Sequence, residues 1–226
     1  MRLNKPIIGL TGGIASGKST VANIFRNIGD CDIISSDDVS REVMQPGHPC
    51  YDEVVKTFGE GILLPEDSTG QRPIDRKALR SLVFGTSEQA KENLALLESI
   101  THPHIRSREL ELFSKSEKDY ILWDVPLLIE KKLWSYCDEI IVVQANRQTQ
   151  IQRALERDPT TNLKIIVDIL NAQASNQERE KHAKYVIVND DTVTIKELSQ
   201  KVGRVNNLIM EGTVKRFRRN LMNLKS

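Results

Sequence analysis

Cysteine is scarce in this chain: three among 226 residues, at Cys31, Cys50 and Cys137, with no C-x-x-C pair. An odd and widely spaced set excludes a disulfide framework and a structural zinc site, and it fits a reducing compartment. An excess of one charge is also missing. Thirty-two Lys and Arg stand against 31 Asp and Glu, a formal net charge of +1. Nothing therefore marks a protein that coats nucleic acid or lies on a membrane. No apolar run approaches the roughly 18 to 20 residues of a membrane span, and no secretory apolar stretch precedes the first turn. The expectation is a cytoplasmic protein with no nucleic-acid or membrane partner, a monomer being favoured. Internal repeats and low-complexity tracts are absent as well. The basic segment "VKRFRRNLMNLKS" reads as a solvated helix end or a frayed terminus.

What is present is an alternation of short apolar runs with helical periodicity, the pattern of an open parallel sheet flanked by helices. The candidate strands are "PIIGLT", "CDIIS", "YILWDV", "EIIVVQ" and "KYVIV". Val21, Ile24, Phe25 and Ile28 fall on one helix face, and Ile195, Leu198, Val202, Val205 and Ile209 form a similar stripe. The long interval between the second and third strands reads as helical: "DRKALRSLVF", "SEQAKENLALLESIT" and "PHIRSRELELF". Asp75 is expected as an N-cap, and Pro103 at the first position of its helix. The resulting division is a core of about 1–45, 119–146 and 184–226, a helical substrate insertion of about 46–118, and a lid of about 147–183.

The chemistry starts at "GLTGGIASGKST". Gly12-x-x-x-x-Gly17-Lys18-Ser19 matches G-x-x-x-x-G-K-[ST] without a gap. Glycines let the main chain approach closely, so successive N–H groups can face phosphate oxygens, and the following helix adds its positive end. Lys18 is expected at the β- and γ-phosphates, the Ser19 hydroxyl on Mg²⁺, and Thr20 at the α-phosphate. The loop follows an apolar strand and opens an amphipathic helix, which is the context the mechanism requires. A GTPase would carry an N-K-x-D guanine-reading motif, and "NKPI" has the wrong residues in the wrong place.

Transfer needs an acid near the acceptor hydroxyl. "IISSDD" puts Asp37 and Asp38 at the carboxyl end of the second strand, where a parallel sheet opens its ligand crevice. Asp37 is the candidate base and Asp38 the cap of the helix "VSREVM". Arg147, Arg153, Arg157 and Arg179 are candidates either for neutralising the transferred phosphate from a helical lid or for surface ion pairs. Gln173 extends the stripe of Ile166, Ile169 and Leu170, so it is either partly buried or reaching into the site. Asp124 closes the strand "YILWD" and either holds Mg²⁺ or caps "VPLLIE".

Those residues, with "SSDDVSREVMQPG", "IDRKALRSLVF", "LESITHPHIR", "WDVPLLIE" and "LNAQASNQER" in order, resemble the dephospho-coenzyme A kinase family over nearly the whole chain. The resemblance implies a P-loop kinase-like α/β fold: a five-stranded parallel sheet with flanking helices, an inserted helical substrate (CoA) region and a helical lid. It implies ATP-dependent phosphorylation of the ribose 3′-hydroxyl of dephospho-CoA, with Mg²⁺ as cofactor and ATP and dephospho-CoA as small-molecule partners. Carried over residue by residue, Gly13, Ile14, Ala15, Ser16, Gly17, Lys18, Ser19 and Thr20 bind ATP, and Asn189 lies near the adenine. Asp37 is the base, Arg41 and His102 line the acceptor (or His102 is buried and hydrogen-bonded), and Arg157 and Arg179 match lid positions. Ser19 and Asp124 are the metal-side residues. Ser35 and Val188 stand where the family commonly has acids. Two other readings are a kinase for another nucleoside or small alcohol and a non-catalytic nucleotide-binding regulator. An acceptor-side base speaks against the second.

Overall fold

Parallel strands need crossovers of a dozen or more residues, and the helix-period segments between the apolar runs supply them. In the computed structural model, which describes residues 4–223, the five expected strands form β1 (Ile7–Gly12), β2 (Cys31–Ser35), β3 (Tyr120–Asp124), β4 (Glu139–Gln144) and β5 (Tyr185–Val188). They make one parallel sheet in the order β2-β3-β1-β4-β5. Asp124 pairs with Leu10 on one side and Ser35 on the other, so the carboxyl ends of β2 and β3 finish level with each other. β1 runs on to Gly12, opposite Val143, before the glycine-rich loop departs. The chain forms two compact units: one is residues 36–113, and the other is everything before and after them.

The sheet-bearing unit holds the main core. α1 (Lys18–Ile28) starts at the loop. Its Val21 and Phe25 are fully buried against Ile8, Leu10, Leu122, Ile141 and Val143, each such side chain contributing roughly 1.5–3 kcal/mol. Ile28, expected on the same face, is 37 % exposed because the helix ends at Gly29.

Residues 36–113 are built from α2 (Ser36–Val43), α3 (Pro49–Phe58), α4 (Arg76–Val83) and most of α5 (Glu88–Lys115). This unit begins about ten residues earlier than the composition suggests, so α2 belongs to it. Asp75 caps α4, accepting from the backbone N–H groups of Lys77 and Ala78. Pro103 does not start a helix. It lies inside α5, which runs unbroken through both expected segments. Only the N–H that would reach Ser99 is lost there, and buried Thr101 and Phe113 hold the helix together across it.

Beyond α5, the sheet-bearing unit continues with three helices after β4: α6 (Arg147–Arg157), α7 (Leu163–Ala172) and α8 (Asn176–Glu180). After β5 come α9 (Ile195–Ile209), a π-helical turn and α10 (Lys215–Asn223). Thr194 and Glu197 make a reciprocal capping box at the start of α9. Leu198, Val202, Val205 and Ile209 are buried as expected, whereas Ile195 is 63 % exposed in that first turn. Tyr120 donates to Asn206 at 2.7 Å and Asn206 to Asp30 at 2.6 Å, tying β3 to α9. None of the three cysteines is in a disulfide, and burial pushes the pKa of Cys31 up to about 11. The basic segment is mostly α10, with Arg216 paired to Glu139 and Arg218 to Asp119; residues 1–3 and 224–226 lie outside the described residues. Among the described residues, no helix is long and apolar enough to cross a membrane.

Candidate active site

The loop between β1 and α1 is shaped by conformations that its residues dictate. Gly17 has φ 88°, and a Cβ there would run into the side-chain amide of Asn189. Only glycine meets both conditions. Ala15 also has a positive φ, 54°, placing a non-glycine residue in the left-handed region at the tip. Ser16 N–H donates to the Gly13 carbonyl at 3.2 Å, closing the turn. Alternating backbone hands of this kind gather N–H groups into an anion-binding nest.

Lys18 and Ser19 open α1. The Lys18 ammonium is paired with the Asp124 carboxylate at the end of β3, and both side chains are only 15 % and 12 % exposed. Asp124 therefore carries the loop lysine. Ser19 and Thr20 are exposed beside the loop, while Ser16 is buried. Asn189 is 6 % exposed. Its amide donates to the Ser16 carbonyl at 2.9 Å, and Arg153 donates to the Asn189 carbonyl at 2.8 Å. The position expected beside the adenine thus braces the loop from behind.

The lid helices reach the same loop. Gln150 of α6 donates to the Ile14 carbonyl at 2.7 Å, and Gln173 after α7 accepts from the Ile14 N–H at 2.9 Å. Of the two possibilities for Gln173, both hold: it is half-buried and it reaches the loop. Arg179 is 2 % exposed and donates to Glu130 at 2.9 Å, while its other terminal nitrogen, Nη1, stands 3.3 Å from where a Gly13 Cβ would be. Burial lowers its pKa, opposed by the neighbouring Glu130 carboxylate. Arg157 is exposed in the last turn of α6, and Arg147 donates to Asn171 at 2.9 Å. Sequence reasoning alone misses Gln150 and Glu130. The one signal available for Gln150 is its spacing of four and seven from Ala154 and Arg157 on one helix face.

In the helical unit, α2 begins at Ser36, so Asp37 and Asp38 both lie in its first turn. Asp38 does not cap it; the helix starts two residues earlier, and the carboxylate meets Arg41 at 3.3 Å. Acids in a first turn complement the helix dipole without capping it. Two contacts fix α2 on α5: Ser36 donates to Glu109 at 2.5 Å, and Arg108 pairs with Glu42 at 2.7 Å. Asp37 is left exposed between those anchors. His102 is exposed on α5, 3.9 Å from Glu98, which excludes the buried alternative. An open groove of about 850 Å³ lies in this unit, lined by Arg41, Met44, Arg76, Arg80, Val83 and Phe84 among others. The Arg80 guanidinium sits 5.1 Å over the Phe84 ring.

Among the described residues no three carboxylate, imidazole or thiol groups cluster as a metal site. Ser19 and Asp124 carry oxygen donors of the kind Mg²⁺ takes, one or two from protein with its remaining places filled by phosphates and water.

The model for dephospho-CoA kinase matches residues 6–194. A dephospho-CoA kinase of Aggregatibacter actinomycetemcomitans is 40% identical over 207 residues, 91% of this chain and 95% of that protein. Among solved structures, the dephospho-CoA kinase of Campylobacter jejuni superposes with TM-score 0.66 at 26% identity, covering 92% of this chain and 99% of that one. TT1252 of Thermus thermophilus gives 0.73 at 27% identity over 90% and 97% of the two chains. A phosphate nest at the end of β1, its lysine held on a strand-end aspartate, and these likenesses over most of the length lead to one conclusion: the chain belongs to the dephospho-CoA kinase family.

Proposed function

We propose that this chain transfers the γ-phosphoryl group of ATP to the ribose 3′-hydroxyl of dephospho-CoA, giving CoA and ADP. This is the last step of coenzyme A synthesis. The observation that carries the reading is the Lys18–Asp124 pair at the mouth of the loop. An ammonium has three donors, so Lys18 can stay on Asp124 while donating to the β- and γ-phosphate oxygens. Charge that spreads over the γ-oxygens in the transition state then meets a fixed cation and the loop amides, with no reorganisation needed at that moment.

On the acceptor side, Asp37 takes the proton of the 3′-hydroxyl as its oxygen attacks the γ-phosphorus in line, and the bond to the β–γ bridging oxygen breaks. Arg41 and the groove it lines offer cationic groups for the diphosphate and apolar walls, Met44, Val83 and Phe84, for the pantetheine arm. His102 stands on α5 as a further acceptor-side contact. Arg157, exposed on α6, and Arg179, beside Gly13, are the lid arginines that neutralise the transferred group in this reading. Mg²⁺ held by Ser19 and Asp124 supplies neutralisation of the β- and γ-phosphates when bound. The same reading makes the protein a cytoplasmic monomer.

The test is ATP consumption with dephospho-CoA set beside adenosine, pantothenate and simple nucleosides. Turnover with dephospho-CoA alone is expected. Faster turnover with a nucleoside would make this a different small-alcohol kinase, and ATP binding without turnover on any acceptor would make it a regulator.

A further inference from the structure

A trans peptide sets its C=O and the next N–H on opposite sides, so whatever holds one decides where the other points. Two successive peptides at the tip of the glycine-rich loop are held this way, from two different lid helices. Gln173 accepts the Ile14 N–H at 2.9 Å. The Gly13 carbonyl, on the other side of that peptide, accepts from Ser16 N–H at 3.2 Å and closes the turn. Gln150 donates to the Ile14 carbonyl at 2.7 Å, which leaves the Ala15 N–H on the face away from Gln150. Ala15 itself sits at φ 54°, a conformation that costs a non-glycine residue of order 1 kcal/mol or more and persists only when its surroundings impose it.

The glutamines are themselves fixed. Gln150 is 5 % exposed, and its amide nitrogen would be 2.6 Å from a Gly13 Cβ, so even that small addition is excluded. Next to Gln173, the Ala174 N–H donates to Glu130 at 2.9 Å, and the same Glu130 oxygen accepts from buried Arg179 at 2.9 Å. Each glutamine also has a forced polarity. A carbonyl can only be met by an amide N–H, and a backbone N–H only by an amide oxygen.

We infer that Gln150 and Gln173 are positioning residues for phosphate transfer. Together they hold the Ile14 peptides so that the strained loop presents its amides to the nucleotide, and they make the lid helices part of the phosphate grip. The inference rests on the kinase reading of this loop and adds to it two residues outside the G-x-x-x-x-G-K-[ST] motif.

Removing one hydrogen bond to the tip weakens the nest for ground state and transition state alike. Gln173→Leu is expected to bind ATP about five- to ten-fold more weakly, measured by calorimetry with ATP and no acceptor. The KM for ATP rises to match, while the acceptor KM and the melting temperature stay near the parental values. Unchanged ATP affinity, or an equal rise in the acceptor KM, overturns the inference. A second pair keeps it falsifiable should the leucine variant not fold. Gln173→Glu and Gln150→Glu each add one negative charge, but only the first still accepts the Ile14 N–H. The second sets a carboxylate against a carbonyl. Gln150→Glu is expected to lose about ten-fold more ATP affinity than Gln173→Glu, and equal losses overturn the inference. Because ATP binding is read without an acceptor, failure of dephospho-CoA as substrate leaves this test standing.

Discussion

The loop after β1 and the helix after β2 both leave the carboxyl end of a parallel strand, yet their functional groups live in opposite surroundings. In the loop the groups that set its shape already have protein partners: Lys18 has Asp124, the Ser16 carbonyl has Asn189, and both ends of the Ile14 residue have a glutamine. On α2, Asp37 and Arg41 are exposed, Arg41 meeting the exposed Asp38 carboxylate, while their neighbours Ser36 and Glu42 are anchored on α5. A phosphate grip built from main chain must be assembled before the nucleotide arrives, because backbone amides have no rotamers with which to adapt. Acceptor recognition by exposed side chains can be completed by the substrate itself.

That contrast predicts different failures on the two sides. Lys18→Ala has the largest expected effect, a fall of about 10³-fold in both kcat and kcat/KM. A rise in KM alone would move Lys18 from transfer to simple binding. Asp37→Asn follows, with kcat lowered by about 10²- to 10³-fold while calorimetry shows ATP affinity retained. Near-parental turnover would remove the base from α2. Gly17→Ala attacks the preassembled side through its backbone: the positive φ and the Asn189 amide together make a loss of about 2 kcal/mol in unfolding free energy, together with weakened ATP binding. Arg80→Ala is expected to raise the KM for dephospho-CoA about ten-fold with the KM for ATP unmoved; an effect on ATP instead would break the separation of the two sides. Thr194→Ala removes one half of the α9 capping box and is the smallest, about 1 kcal/mol of stability with kinetics unchanged.

The same contrast explains what is legible in the sequence. The inner strands β1, β3 and β4 are readable because burial on both faces leaves near-continuous apolar runs, the edge strands β2 and β5 because they keep β-branched runs although partly exposed, and the loop because its glycines and lysine stand at spacings that few other structures require. Asp75 is readable as a cap for the same local reason. The unbroken α5 is not: Pro103 is a strong local stop signal, overridden by packing on both sides of it. The start of α2 is hidden because Ser36 gains a partner, Glu109, seventy-three positions away in the chain. Gln150 lies in no motif, and Gln173, though within "LNAQASNQER", is left by the sequence between burial and the site. They meet Ile14 across 136 and 159 residues respectively, and neither a polar residue within α6 nor one just past the end of α7 gives a sign of such a partner. Asn189 stands out by resemblance, but the structure gives it the Ser16 carbonyl, a contact that only the sheet order brings about.

The most direct measurement is the position of the new phosphate. With ATP labelled at its γ-phosphorus and dephospho-CoA as acceptor, the label should be recovered in CoA as a monoester on the ribose 3′-oxygen, and Asp37→Asn should abolish that product without abolishing ATP binding. Label found only as inorganic phosphate, or on any other oxygen of the acceptor, would contradict the assignment of both the substrate and the base.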